Sequence, residues 1–395
     1  MLNFRIFLLS LTLVFTFGAC KKSMVGISEP CQANVADSSS KHPKAAIFQA
    51  ILDKYKKRGL PGVAILIEDE NGVWMGSAGK ADIAENVDFK PCTVSKVASI
   101  TKMMFAAAIM QLREQGKVNL DDKISKWLDA DIIKNVKNAE NATLKDLMQH
   151  STGIYDVITD SDFYLAVLNN PNKKWTGEEL IKFVYNKPTI FDYVPNATQG
   201  GYSNTNTLLM SMCIEKITGR PHNEWMHELV IDKVGMSNTY YHHHDALPAF
   251  TAQGYYDLYN NGTIVNVSNL VTGSGNGYGG IYSNVIDLHK FMKALFINKT
   301  LVSQQSLDLM QTFISDDERG DLGIGLLRQY KHLNLAHLGV GHSGRDLGYS
   351  GDAHYFPTRN NRIFINLVNY GTNGNTPLRQ VFYDMRDEFA TEMNR

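Results

Sequence analysis

The sequence predicts an α/β fold in which strands from the two ends of the chain form one sheet, with a helical region inserted between them. Three observations lead there. Gly62 to Glu68 (GVAILIE) and Gly72 to Gly79 have the short, apolar character of strands and are joined by the turn signal Asp69-Glu70-Asn71-Gly72. Near the other end, His354 to Phe356 and Arg362 to Val368 read as strands again. Between them, to about residue 270, lie helical patches separated by turn-rich loops, an order that suits one α/β unit built from both termini.

The elements follow in order. Ala46 to Lys57 has helical spacing, with Ile47, Ile51 and Tyr55 on one face. A long helix rich in Met, Ala, Ile and Leu runs from about Ser99 to Gln115 and stops at Gly116. Thr207 to Thr218 reads as a buried helix ending before Gly219, and further helices are expected over Asp287 to Phe296 and Leu378 to Glu392. The domain therefore spans residues 45–395, with its α/β part at about 45–98 and 280–395 and its helical part at about 99–279.

The chain has 395 residues, 44% hydrophobic and 20% charged, with a formal net charge of −1. No basic excess marks a nucleic-acid binder, and no nucleic-acid partner is expected. At the N-terminus Arg5 precedes an uncharged, mostly apolar run, Ile6 to Ala19, short of the roughly 20 residues that span a bilayer. It ends in Phe17-Gly18-Ala19-Cys20, which looks like a bacterial lipoprotein processing site; an ordinary cleaved signal peptide is the alternative. The expectation is a signal peptide over 1–20, lipidation at Cys20 and a polar tether over 21–44. The protein would then be exported to the bacterial cell envelope and touch the membrane through its N-terminal lipid only, as a monomer. Of the remaining cysteines, Cys31 and Cys92 could bridge in an oxidising compartment. Spacing alone does not bring them together, so Cys31, Cys92 and Cys213 are expected as separate thiols. No CxxC pair suggests zinc.

Chemistry is concentrated in Ser99-Ile100-Thr101-Lys102. Spacing i, i+3 places the serine hydroxyl and the lysine amine on one helical face. A lysine whose pKa is depressed by burial can serve as the base that makes a serine nucleophilic. A helix N-terminus offers N–H groups to a developing oxyanion. The tetrad alone is weak, because Ser38 and Lys41 repeat the spacing in the tether. Its company strengthens it: Tyr202-Ser203-Asn204 follows in a Gly-rich loop before a helix, and His342-Ser343-Gly344 leads into the final strands.

An SxxK tetrad, then YxN, then a basic residue followed by Ser and Gly resembles the penicillin-recognising serine hydrolases, which include class C β-lactamases, D,D-carboxypeptidases and related esterases. Gln115 to Asp122, Leu147 to Gly153 (LMQHSTG) and Gly279 to Asn284 with Asp287-Leu288 resemble further stretches of that family, so the resemblance covers about Ala45 to Ala390. It implies a β-lactamase-like fold, an antiparallel sheet flanked by helices with an inserted all-α region, and an active site in the seam. Ser99 would be the acylated nucleophile, Lys102 its base, and Tyr202 a partner in proton transfer. Asn204 would hold a substrate amide or help order Lys102, His342 and Gly344 would bind substrate, and the N–H groups of Ser99 and Arg345 would form the oxyanion hole. No metal and no organic cofactor is implied.

Other features have plainer readings. His150 is expected to be structural. His242-His243-His244-Asp245 is expected on a surface loop, since neighbours on a strand alternate faces. No serine has Gly at both −2 and +2, and HExxH and P-loop motifs are absent. The GxGxxG spacings from Gly275 and Gly339 lack the strand–turn–helix setting that would give them meaning.

The expected reaction is acyl transfer through Ser99 to a small peptide, ester or β-lactam substrate. His342 stands where many relatives have Lys. With an ordinary pKa near 6.5 it would be partly charged at neutral pH and would read a substrate carboxylate weakly. That departure favours a D-alanyl-D-alanine carboxypeptidase-like activity over an efficient β-lactamase, with esterase or amidase activity next. The rival from another class is a binding or sensor protein without turnover.

Overall fold

A computed structural model describes residues 25–32, 39–333, 338–371 and 376–395. The segment expected as a signal peptide, including Cys20, lies outside the described residues. An eight-stranded antiparallel sheet organises the rest. Its strands are β1 (Gly62–Asp69), β2 (Gly72–Asp82), β3 (Val87–Asp88), β4 (Asp321–Leu322), β5 (Leu327–Gln329), β6 (Gly339–Asp346), β7 (Tyr349–Phe356) and β8 (Arg362–Val368), in the spatial order β3-β2-β1-β8-β7-β6-β5-β4. β1 pairs with β8 from Val63↔Val368 to Glu68↔Ile363, so the two ends of the chain meet at the centre of the sheet.

Both faces of the sheet are covered, and β1 is an unbroken apolar run because successive side chains go to different cores. Val63, Ile65 and Ile67 face α1 (Ala45–Lys57) and the C-terminal helix Pro377–Met393 through Phe48, Leu52, Phe382 and Phe389. Ala64 and Leu66 face the larger core of the helical region. At its centre runs α2 (Thr101–Glu114), buried from Thr101 to Leu112 around its circumference, which is why its sequence is small and apolar rather than striped.

Several expectations are corrected. The buried stripe of α1 is Phe48, Ile51, Leu52 and Tyr55, while Ile47 is 47% exposed: the i, i+3, i+4, i+7 phase starts one residue later. Ser99 sits in a 3-10 turn, Ala98–Ile100, and the α-helix proper begins at Thr101. Part of the stretch expected as a tether is docked. Val25 packs with Val94, Tyr282 and Tyr349, and Ser28 Oγ donates to Thr251 O at 2.5 Å. Cys31 and Cys92 form a disulfide across a sequence separation of 61, so they are not separate thiols; Cys213 is buried and free. His242 is buried rather than on a surface loop and stacks on His243 at 4.0 Å. Among the described residues no group of three or more His, Cys, Asp or Glu is placed to hold a metal ion.

Candidate active site

The strand Ser95–Lys96 pairs with Ile281–Ser283 and fixes the entry to the 3-10 turn, where Ala98 takes a left-handed φ of 50°. Val97 N donates to Ile281 O at 2.9 Å, and Ile281 N donates to Thr101 Oγ1 at 3.2 Å. Ser99 is thereby presented between the α2 N-terminus and β6. Gly344 makes that approach possible: a Cβ there would lie 2.1 Å from Val97 O and 3.1 Å from Ser99 N.

One turn on, Lys102 is buried, with Nζ 3.1 Å from Ser99 Oγ, 2.7 Å from Asn204 Oδ1 and 2.5 Å from Tyr278 O. Asn204 opens the helix Asn204–Thr218, and its amide orientation is set from behind by Asp156. Asp156 Oδ1 accepts from Asn204 N and Oδ2 from Asn204 Nδ2, each at 3.0 Å, which leaves Asn204 Oδ1 facing Lys102. The Asn204 and Tyr278 oxygens are pure acceptors and can take both hydrogens of a neutral amine, so its lone pair is left for the Ser99 hydroxyl. Burial drives the Lys102 pKa down to about 7; Asp156 opposes this and Arg319 adds to it. Asp156 itself is raised, chiefly by burial.

Tyr202 is buried, with the His150 ring 4.3 Å and the Arg319 guanidinium 4.4 Å from its ring centroid. Its hydroxyl has no well-formed hydrogen bond, and burial raises its pKa while Arg319 and the Ser99 hydroxyl pull it back. His150 takes the αL position that ends the helix Leu144–Gln149. Its Nδ1 lies 3.4 Å from Ser203 N and 3.2 Å from Asn206 Nδ2, a structural role that also backs Tyr202.

His342 is where the site departs from expectation. Desolvation, then the Lys102 charge, lower its pKa to about 3, so it is neutral at pH 7 rather than partly charged. Nδ1 stands 2.6 Å from Ser343 O, a carbonyl that can only accept, so the proton of the neutral ring is on Nδ1. Arg345 follows on β6 with its guanidinium 4.7 Å from the centroid of the Tyr383 ring and its Nε buried without a partner.

Ser99 borders two pockets. One, of about 220 Å³, is lined by Phe163, Val167, Tyr256 and Leu347. The other, of about 460 Å³, is lined by Tyr202, His342, Arg319 and Arg345. The structure thus brings together all of Ser99, Lys102, Tyr202, Asn204, His342, Gly344 and Arg345. The sequence reading missed Asp156, Arg319 and the carbonyl of Tyr278. Arg319 lies in the charged run Asp316-Asp317-Glu318-Arg319, which resembles any solvated loop, and a backbone carbonyl leaves no side-chain signature.

Comparison with known proteins accords with this architecture. The family model described as Beta-lactamase matches residues 46–380. Among curated proteins, Protein flp of Staphylococcus aureus is 28% identical over 202 residues, which cover 49% of this chain and 38% of that protein. The matches span from 38% to 62% of the length of the first curated relatives. Among solved structures, a D-stereospecific amidohydrolase from Streptomyces is 26% identical with a TM-score of 0.73, covering 86% of this chain and 98% of that one. The D-amino acid amidase of Ochrobactrum anthropi, solved with L-phenylalanine, shares the fold at 20% identity and TM-score 0.76, covering 88% of this chain and 98% of its own. With antiparallel sheet, inserted helices and family match all in agreement, the chain belongs to the beta-lactamase family of serine hydrolases.

Proposed function

We propose that the protein is an acyl-enzyme hydrolase acting at Ser99, with a D-alanyl-D-alanine carboxypeptidase-type reaction on small peptides. The observation that carries this reading is the Lys102 amine, buried 3.1 Å from Ser99 Oγ between two fixed acceptors, with a pKa of about 7. Ser99 Oγ attacks the substrate carbonyl carbon and its proton passes to Lys102 Nζ. The oxyanion is held by the N–H groups of Ser99 and Arg345. As the C–N bond breaks, the leaving amine takes a proton through Tyr202. Water then attacks the ester, gives its proton back through the same pair, and frees the acid and Ser99. No step calls for a metal or an organic cofactor.

Amide hydrolysis is the second reading, favoured by the likeness to a D-stereospecific amidohydrolase and a D-amino acid amidase. A fluorophosphonate should label Ser99, and the label should be lost in Ser99→Ala and Lys102→Ala. Turnover of an acyl-D-Ala-D-Ala peptide, a D-amino acid amide and a nitrophenyl ester then ranks the readings. An adduct on Ser203 or Ser343 would overturn the assignment. Lipidation of Cys20 places the enzyme in the cell envelope. Cys20→Ser should release it from membranes, and a wild-type protein found wholly in the soluble fraction would refute that placement.

A further inference from the structure

Building on the peptidase reading, we infer that the side chains of Arg319 and Arg345, and not His342, hold the carboxylate of the leaving residue. His342 cannot do it well. Its Nδ1 proton is committed to Ser343 O, and Nε2 of the neutral ring is an acceptor that would face a carboxylate lone pair to lone pair. The two guanidiniums have the opposite character. Of the cations around the 460 Å³ pocket, Lys331 is paired with Asp321, Arg386 with Asp352 and Asp387, and His332 with Asp387. Neither Arg319 nor Arg345 has an ion-pair partner among the described residues; each lies against an aromatic ring instead, at 4.4 Å on Tyr202 and 4.7 Å on Tyr383.

Two carboxylates of the turn that carries Arg319 are otherwise engaged, and Asp156 and Asp352 act on Arg319 and Arg345 through space without an ion-pair contact. Asp316 Oδ1 accepts from Glu318 N at 2.9 Å and Arg319 N at 2.7 Å, so it shapes the turn that delivers Arg319. Asp317 accepts from Gln199 at 3.3 Å. Arg345 Nε is buried with no partner, an arrangement that costs stability until an acceptor arrives. A guanidinium fork matches a carboxylate in two parallel hydrogen bonds, which an ammonium or an imidazole cannot do. Position agrees with chemistry. Both arginines line the pocket that holds Tyr202, the group proposed to protonate the leaving amine, whereas the second, more apolar pocket that Ser99 borders suits the acyl part. Arg345 borders both pockets, as Ser99 does.

The test compares kcat/KM for an acyl-D-Ala-D-Ala peptide with that for the same peptide ending in a carboxamide. Each variant's rate of Ser99 labelling by an uncharged fluorophosphonate reports whether its nucleophile is intact. The wild type should prefer the free carboxylate. Arg319→Gln and Arg345→Gln should each cut that preference by about ten- to a hundred-fold, mostly through KM. Arg319→Lys, which keeps the charge and loses the fork, should retain part of it. His342→Gln should leave the ratio in place. A ratio that survives both glutamine variants while Ser99 still labels, or one that collapses in His342→Gln alone, overturns the inference. A wild-type Ser99 that does not label overturns the underlying peptidase reading instead.

Discussion

Asp156 holds Asn204 with both carboxylate oxygens, one on the backbone N–H and one on the side-chain amide, each at 3.0 Å. The amide can therefore present only its oxygen to Lys102, at 2.7 Å. Asp156 touches no reacting atom; it is a positioning residue, acting through Asn204 and through its charge.

Asp156→Asn should cost activity on the order of ten- to a hundred-fold in kcat, because a carboxamide offers one acceptor where two donors need one each. A purely structural defect would stop there. Loss of a buried anion also removes what favours the charged form of Lys102, so the acid limb of the pH profile should move to lower pH. A variant with reduced kcat and an unmoved limb would contradict the positioning role.

The wild-type profile follows from the same amine. Lys102 acts as a base only when deprotonated, so kcat/KM for a neutral ester should rise with pH through about 7 and be lost below it. Arg319 disfavours the protonated amine, so Arg319→Gln should raise the Lys102 pKa and move the limb upward, opposite to Asp156→Asn. Shifts of the same sign in both variants would refute this electrostatic account.

His342 should contribute no step of its own near neutrality. With its pKa at about 3, the ratio of kcat/KM for a carboxylate substrate over a neutral ester should stay flat from about pH 5 to 8, since the Lys102 ionisation cancels in the ratio. A step near pH 6.5 that vanishes in His342→Gln would mean that the imidazole titrates as a solvated group does.

These three cases mark what the sequence could and could not reveal. Ser99 and Lys102 were legible because their i, i+3 spacing survives the passage from the 3-10 turn into the α-helix, and Tyr202 and Asn204 because they flank a helix start. The strand positions of β1 and β8 were legible because burial on both faces leaves an apolar run. His342 does lie in the cleft, but its neutral state was not legible, since desolvation and the nearness of Lys102 are properties of the assembled core. Asp156 and Arg319 come from loops about 50 and 220 residues away from the tetrad, and no local pattern records that they converge on it.

Gly344 gives a steric test. An alanine Cβ would meet Val97 O at 2.1 Å, and this backbone carbonyl at the start of the 3-10 turn cannot rotate away as a side chain could. Gly344→Ala should force β6 off the 3-10 turn and widen the gap beside Ser99, lowering the Ser99 labelling rate about a hundred-fold for a displacement near 1 Å. The loss should exceed that from Ser343→Ala, whose side chain lies off this contact. Equal labelling in Gly344→Ala and wild type would mean that the strand yields freely.

The Cys31–Cys92 bridge separates stability from chemistry. It ties the docked segment containing Val25 and Ser28 to the loop that continues through Val94 into the strand Ser95–Lys96. Closing a loop of this length restrains the unfolded chain, so breaking it should cost about 2–4 kcal/mol. Cys31→Ser, Cys92→Ser and the double variant should lose the same amount, because either change removes the one interaction. The site contacts of Lys102 come from Asn204 and Tyr278, and the entry to Ser99 is fixed by Ile281, none of them in the docked segment. Labelling of Ser99 at 25 °C should therefore persist while the thermal midpoint falls by several degrees, in these variants and in the reduced wild type. If reduction leaves the midpoint where it was, the bridge does not stabilise the fold; if labelling disappears well below the midpoint, the docked segment supports the nucleophile turn after all.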